Sequence, residues 1–492
     1  MSTPSIVSTP TVSERVTAPV SGTWAPLRQR LSLGALTSLV IGSMIGSGVF
    51  SLPQNMAAGA GAGAILIGWG ITALGMLSLA MMFLQLAQAA PGVTGGVYGY
   101  ARAGFGDFVG FQSAWGYWLS ALIGNAGYLV VIVAAVSNLL PAGGLGAGDT
   151  AVGVAAASVL LWGYHALALR GVRTAAAVNT LVTLSKVVPL LMFVVLVGVA
   201  FQAPTFSLSM WGDAKLGPVF DQVRSTMLVT VWAFIGIEGA SVFSARARSA
   251  GDVGRATMLG FGATLLLYMA ITLLSLGVVP QAELAQMANP SMAGVLQKVV
   301  GPWGAVLVNI GLLVSVGGAM LAWTMLAAEV PYSAAKEEVF PGGFGGENRR
   351  QAPAAALWWS NGIVQAVLLL SLLAGNAYLA LIKLATSTIL LPYLVCALFA
   401  LRRGAGSRAL LLTGAVATVY SAWLVYAAGP VYLLLTALVY VPGLAVHALA
   451  RRRRGLPVYA GAGEQVVAVL LLAAAFVTLW LIAGGVLDLQ KL

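Results

Sequence analysis

Three ionisable residues stand deep inside apolar stretches of this chain: Lys186, Glu238 and Lys383. A charge at membrane depth is costly, and where it is kept it marks ion pathways, proton relays or counter-charges. Two glycine clusters add a second kind of chemistry. Gly42, Gly46 and Gly48, with Ser43 and Ser47 between them and Pro53 after, interrupt the apolar run LGALTSLVIGSMIGSGVFSLPQNMA. Gly236, Glu238 and Gly239 interrupt TMLVTVWAFIGIEGASVFSA. Each helical Gly costs about 1 kcal/mol relative to Ala, so such clusters mark either a break in the helix or close helix packing. Gly42 and Gly46 also have the GxxxG spacing of a packing face. A break would supply N–H groups at a half-helix start, which bind a carboxylate. It would also free carbonyls that accept hydrogen bonds from an ammonium. The two together make a receptor for an α-amino-acid group.

The elements that must position these residues follow from composition. Of 492 residues 59% are apolar and 8% charged, against about 25% charged in an ordinary soluble protein. Mean hydropathy is +0.93. Disorder is excluded by this apolarity, and a disulfide scaffold by the single cysteine, Cys396. A polytopic membrane protein remains, its 60 glycines allowing close helix packing. About 20 apolar residues cross a bilayer as a helix, and thirteen such runs are predicted: 31–56, 62–89, 107–140, 151–170, 174–201, 222–246, 254–279, 302–330, 354–374, 376–401, 408–428, 430–450 and 464–486. Their continuity excludes the two-residue alternation of a β-barrel.

With the N-terminus in the cytoplasm, nineteen Lys and Arg fall on the cytoplasmic side and four outside, a strong positive-inside bias. Thirteen spans then put the C-terminus outside. Residues 1–30 read as a disordered cytoplasmic tail, with no signal-peptide core. No loop is long enough for a separate domain. The net charge of +11 is therefore an orientation signal rather than a nucleic-acid surface, and Arg451 to Arg454 read as a stop signal beside anionic lipid. There is no GxxxxGK[ST] loop, so transport driven by nucleotide hydrolysis is not expected. His165 and His447 are too few and too far apart for a metal site. No cofactor is implied, and no hydrolytic constellation that would make the chain an enzyme.

The second break comes five spans after the first, and glycine-interrupted segments at matching places in two halves point to a transporter site. Lys186 in span five and Lys383 in span ten also correspond. The expected organisation is a first five-helix repeat at 31–201, a second, inverted one at 222–401, and accessory helices at 408–486.

The strings IGSMIGSGVFSLP and WAFIGIEGAS resemble the amino acid–polyamine–organocation superfamily, and within it the basic amino acid/polyamine antiporters. WTMLAAEVPYSAAKEEVFP and LATSTILLPYL look most similar to bacterial arginine/ornithine antiporters, and the resemblance runs from about Leu31 to Ala450. It implies an all-α fold of two inverted five-helix repeats, similar to the leucine transporter, with helices 1 and 6 broken. It implies that the substrate carboxylate meets Ser43, Gly46, Ser47 and Gly48, and the α-amine meets carbonyls around Trp232, Ala233 and Ile235. In the string YWLSALIGN, Asn125 takes the place of a guanidinium contact and Tyr117 an aromatic one. Trp323 would cover the substrate's aliphatic stem, and Trp232 would gate the pocket. Glu238 fits a gate, a proton relay or a counter-charge. Lys186 would stand where sodium-coupled relatives bind sodium, bracing span one. Glu329 heads a charged cluster with Lys336, Glu337, Glu338, Arg349 and Arg350, a candidate inner gate. Lys383 either pairs with Glu329 or points to outer water.

The function expected is exchange of cationic amino acids across the inner membrane, arginine for ornithine, by alternating access, with homodimers through the last helices as in the family. A lysine, histidine or polyamine exchanger and a proton-coupled symporter are the alternatives on the same scaffold. An amino acid sensor would need a signalling domain, and a channel a symmetric filter; neither is visible.

Overall fold

The computed structural model describes residues 32–491 apart from 91, 94–95, 141–142, 171–172, 209, 213, 238–249 and 374–375. Every regular element among the described residues is a helix. In lipid a backbone cannot borrow hydrogen bonds from water, so an apolar chain satisfies them internally. The first expected span is two helices, α1 (Leu33–Met44) and α2 (Gly48–Ala57), bent by 48° about residues 45–47. After α3 (Ala62–Ala89) comes the short α4 (Gly96–Phe105), then α5 (Asp107–Leu139), α6 (Ala151–Leu169) and α7 (Arg173–Val199). A short helix, α8 (Ala203–Leu208), precedes α9 (Val219–Phe234) and α10 (Ala250–Leu276). Two further short helices, α11 (Gln281–Ala285) and α12 (Ser291–Val300), lead into α13 (Pro302–Lys336), α14 (Ala354–Leu370) and α15 (Ala377–Arg403). The chain ends with α16 (Arg408–Arg453) and α17 (Ala462–Ala483). Nine helices are long and apolar enough to span a bilayer, and the α1–α2 pair makes a tenth, among the described residues.

Side-chain caps start several helices where the sequence leaves a polar residue before an apolar run. Thr150 accepts from the Gly153 amide at 3.0 Å, and Asn376 from the Leu379 amide at 3.1 Å. Each satisfies a donor the helix itself cannot.

The 46-residue α16 contains two of the expected spans. Drawn straight it would reach about 69 Å, more than twice the hydrocarbon thickness. It instead folds at Gly429 (φ 71°, ψ 170°), directly before Pro430. Both of its ends reach the segment around residues 85–107: Thr413 donates to Gln85 at 2.8 Å, and Arg451 pairs with Asp107 at 2.8 Å. The ion pair changes the reading of the terminal arginines. Arg451 holds Asp107 and Arg454 holds Glu338 at 2.8 Å, so two of the four lock protein to protein rather than only facing lipid.

The core lies where α5 and α15 cross. Gly116 lets the Tyr440 ring lie against α5, its hydroxyl donating to the Thr388 carbonyl at 2.8 Å, and any Cβ there would collide with it. In a bilayer such close approach is the main source of helix affinity.

Candidate functional site

The bend between α1 and α2 leaves helical carbonyls without partners in their own ladder, and buried side chains take them over. The Lys186 ammonium on α7 donates to the Ile45 carbonyl at 3.0 Å and the Gly42 carbonyl at 3.4 Å. The Tyr268 hydroxyl on α10 donates to the Met44 carbonyl at 2.9 Å. Lys186 is 1% exposed, too deep to reach an interface, so its charge is spent on the end of α1, which carries partial negative charge. On the other side of the bend the Tyr378 hydroxyl on α15 donates to the Ser47 hydroxyl at 3.1 Å. Ser43 turns back on its own helix, bonding the Val40 carbonyl at 2.8 Å.

The second break follows α9. Ile235 leaves helical geometry (φ −57°, ψ 131°) and Gly236 takes φ 105°. That angle favours glycine. Space demands it too, because a Cβ on Gly236 would stand 2.9 Å from the Ser43 carbonyl oxygen. The two breaks thus touch. Glu238 lies outside the described residues.

Between the breaks sits a small buried cavity lined from four directions. The first break gives Met44, Gly46 and Gly48; α9 gives Trp232 and Ala233, followed by Ile235; α13 gives Trp323. From α5 come Ser120, Ala121, Gly124, Asn125 and Tyr128, a single stripe at helical spacing. The space open to water centres is about 20 Å³, close to room for one water. Aromatic rings fill the rest. The Trp232 and Tyr128 rings meet edge to face with centroids 6.1 Å apart, and the Tyr128 hydroxyl occupies the place a Cβ of Gly46 would take. Asn125 is 2% exposed and its Nδ2 has no hydrogen-bond partner among the described residues. An orphaned buried amide is costly, and this one lies in the cavity wall.

Seven of the ten expected substrate-contact residues therefore line one cavity: Gly46, Gly48, Asn125, Trp232, Ala233, Ile235 and Trp323. Ser43 and Ser47 lie in the flanking backbone of the first break. Tyr117 does not line it. It lies eight residues before Asn125, about 12 Å along the helix, and the aromatic that α5 offers is Tyr128, three residues after. Tyr128, Ser120, Tyr268 and Tyr378 were not expected from sequence. The period of α5 from Asn125 gives Ser120 and Tyr128, whereas nothing in the sequence marks the two tyrosines on α10 and α15.

Further side-chain contacts lie towards both ends of this region. Towards the arginine-rich face, Phe111, Trp115 and Trp118 of α5 pack on Phe340 with ring centroids 4.8 to 6.2 Å apart. Towards the other face, Gln54 of α2 donates to the Ala285 carbonyl at 3.0 Å and accepts from Asn289 at 2.9 Å, tying α2 to the α11–α12 segment. Glu329 does not reach Lys383; it is exposed and accepts from Ser333 at 2.8 Å. Beside it Lys336 pairs with Glu347 at 3.3 Å. The Tyr332 hydroxyl bond, and secondarily Lys336, hold the Glu347 carboxyl below the usual carboxylate range. Glu337 offers its backbone carbonyl to Arg102 at 3.3 Å. No group of three or more His, Cys, Asp or Glu that could hold a metal is present among the described residues.

The family model described as "Amino acid permease" matches residues 31–447, which covers all these elements except the last residues of α16 and the whole of α17. The chain belongs to the amino acid permease family. This permease is 48% identical over 91% of its length to the arginine/ornithine antiporter of Pseudomonas aeruginosa, covering 96% of that protein. It is 41% identical to the L-lysine transport protein of Corynebacterium glutamicum, over 94% of this chain and 97% of that one. It is 40% identical to the arginine/agmatine antiporter of Chlamydia felis, over 89% and 91%. Multi-pass membrane architecture and membership of a transporter family thus agree with the helical, apolar fold.

Proposed function

We propose that this permease exchanges cationic amino acids across the cytoplasmic membrane, taking arginine in one direction and ornithine in the other. The observation that carries the reading is the meeting of two broken helices at one buried cavity that also holds Asn125, Trp232 and Trp323. The amides at the start of α2 suit a carboxylate, and the carbonyls at the end of α9 suit an α-ammonium. Asn125 suits a guanidinium or a terminal ammonium, and the indoles suit the stem and the cationic head. The 48% identity to an arginine/ornithine antiporter supports this pair of substrates.

Transport proceeds by alternating access, two inverted five-helix repeats (31–201 and 222–401) rocking about the cavity. Thirteen spans, a cytoplasmic N-terminus and an external C-terminus complete the topology, on the bias of Lys and Arg. Lys186 braces the first break and, with Glu238 and Glu329, belongs to gating or coupling, and the family's homodimer is the expected assembly. Arginine and ornithine carry equal charge, so exchange is electrically silent.

The test is uptake of labelled arginine into proteoliposomes. Uptake should be fast with ornithine inside and slow without it; equal rates would overturn exchange. A membrane potential should leave the initial rate unchanged. Asn125→Ala and Trp232→Ala should each weaken arginine binding about tenfold or more, read by titration of folded protein. Normal binding in both would move the pocket elsewhere. The 41% identity to a lysine transporter keeps lysine as the first competitor to assay.

A further inference from the structure

A second cavity lies beside the fold of α16, away from the amino acid site. It is about 270 Å³ and is lined by Asp221, Arg224, Ser225 and Leu228 of α9, Lys383 of α15, and residues 427–432 of α16. Lys383 lies six residues into α15, about 9 Å from its start. It is partly buried. Its ammonium has no hydrogen bond or ion pair among the described residues, and the one group found against it is the Tyr432 ring, 5.8 Å from nitrogen to centroid. A cation–π contact leaves the ammonium's donors unsatisfied.

The charges around the cavity do not balance. Asp221 is already engaged by Arg224 at 3.5 Å, so Lys383 is left as a surplus positive charge. A partly buried ammonium with no counter-charge is stabilised when an anion joins it. The backbone adds to this. Gly429 ends the first half of α16 and a new helical segment starts at Pro430, against the same cavity. The first N–H groups of a helix lack partners in their own ladder and favour an anion. The cavity has room for a tetrahedral oxyanion, and among the described residues no acidic side chain other than Asp221 lines it.

We propose that Lys383, with Arg224 at the rim and the helix start at Pro430, forms a binding site for a single oxyanion, a phosphate group. Neither the substrate exchange nor the amino acid cavity supplies this ligand. The group is either free phosphate or the phosphate of an anionic lipid headgroup. The flank of the site favours access from the membrane, since Phe220 and Tyr426 are each 53% exposed beside it and their rings lie 6.2 Å apart.

The test uses the full chain in nanodiscs, with melting followed by tryptophan fluorescence. One arm adds inorganic phosphate to discs of phosphatidylcholine at constant ionic strength. The other replaces part of the phosphatidylcholine by phosphatidylglycerol. The wild type should show a saturable rise in melting temperature in at least one arm: phosphate alone identifies the free anion, phosphatidylglycerol the headgroup. Lys383→Arg should keep the rise. Lys383→Met should lose it or need about tenfold or more ligand, while melting no lower than wild type without anion because an unpaired charge has gone. Arg224→Gln, at an exposed position, should weaken the effect less. No saturable rise in either arm, or an equal rise in Lys383→Met, overturns the proposal.

Discussion

Single residues decide whether the two helix breaks hold their shape. Lys186 was legible as a buried lysine in span five, and its partners are the Gly42 and Ile45 carbonyls. Hydrogen bonds to a charged group contribute about 1.5–3 kcal/mol each, offset in part by the cost of burying the ammonium. Lys186→Met should therefore lower the melting temperature and abolish exchange; an unchanged melt with normal exchange would show that the ammonium does not hold the break. Asn125 and Trp232 were also legible, through their motifs. Tyr117 and Tyr128 show the limit of such reading. Both are aromatic residues of one helix, and only the direction in which α5 presents them puts Tyr128 on the cavity.

The long apolar helices were legible, because a bilayer admits apolar runs of a set length, whereas the short helices at 96–105, 203–208, 281–285 and 291–300 were not. How their ends are tied was not. Asp107 at the start of α5 accepts from Arg102 just before it and from Arg451 at the end of α16, both at 2.8 Å. This junction joins elements more than three hundred residues apart, and a run of arginines reads the same whether it faces lipid or a carboxylate. Asp107→Asn should leave Arg451, 13% exposed, without its counter-charge and cost about 1–2 kcal/mol. The melting difference from wild type should shrink at 1 M salt, where the Debye length falls to about 3 Å. A difference that ignores salt would mean that packing, not charge, makes the junction.

At the scale of the molecule, α17 stands apart. Of its side chains only Ala468, Ala475 and Thr478 are buried, and Thr478 bonds the Leu434 carbonyl of α16 at 3.0 Å. None of the cavity-lining residues belongs to α17. A chain ending at residue 460 should reach the membrane and exchange arginine for ornithine at near the full rate, with a modest loss of melting temperature. Loss of exchange in folded truncated protein would give α17 a part in the transport cycle. The sequence by itself determined the membrane class, the positions of the helices and the two breaks, since hydrocarbon thickness and the helical cost of glycine act locally. Only the tertiary structure decided which faces meet: Ser120 and Tyr128 with Trp232, Lys186 with α1, Tyr378 with Ser47, Lys383 with Tyr432 and not Glu329. The physical reason is that lipid and the protein interior are equally apolar. A membrane helix can be apolar all round, its sequence carries little record of which side looks inward, and close packing alone makes that choice.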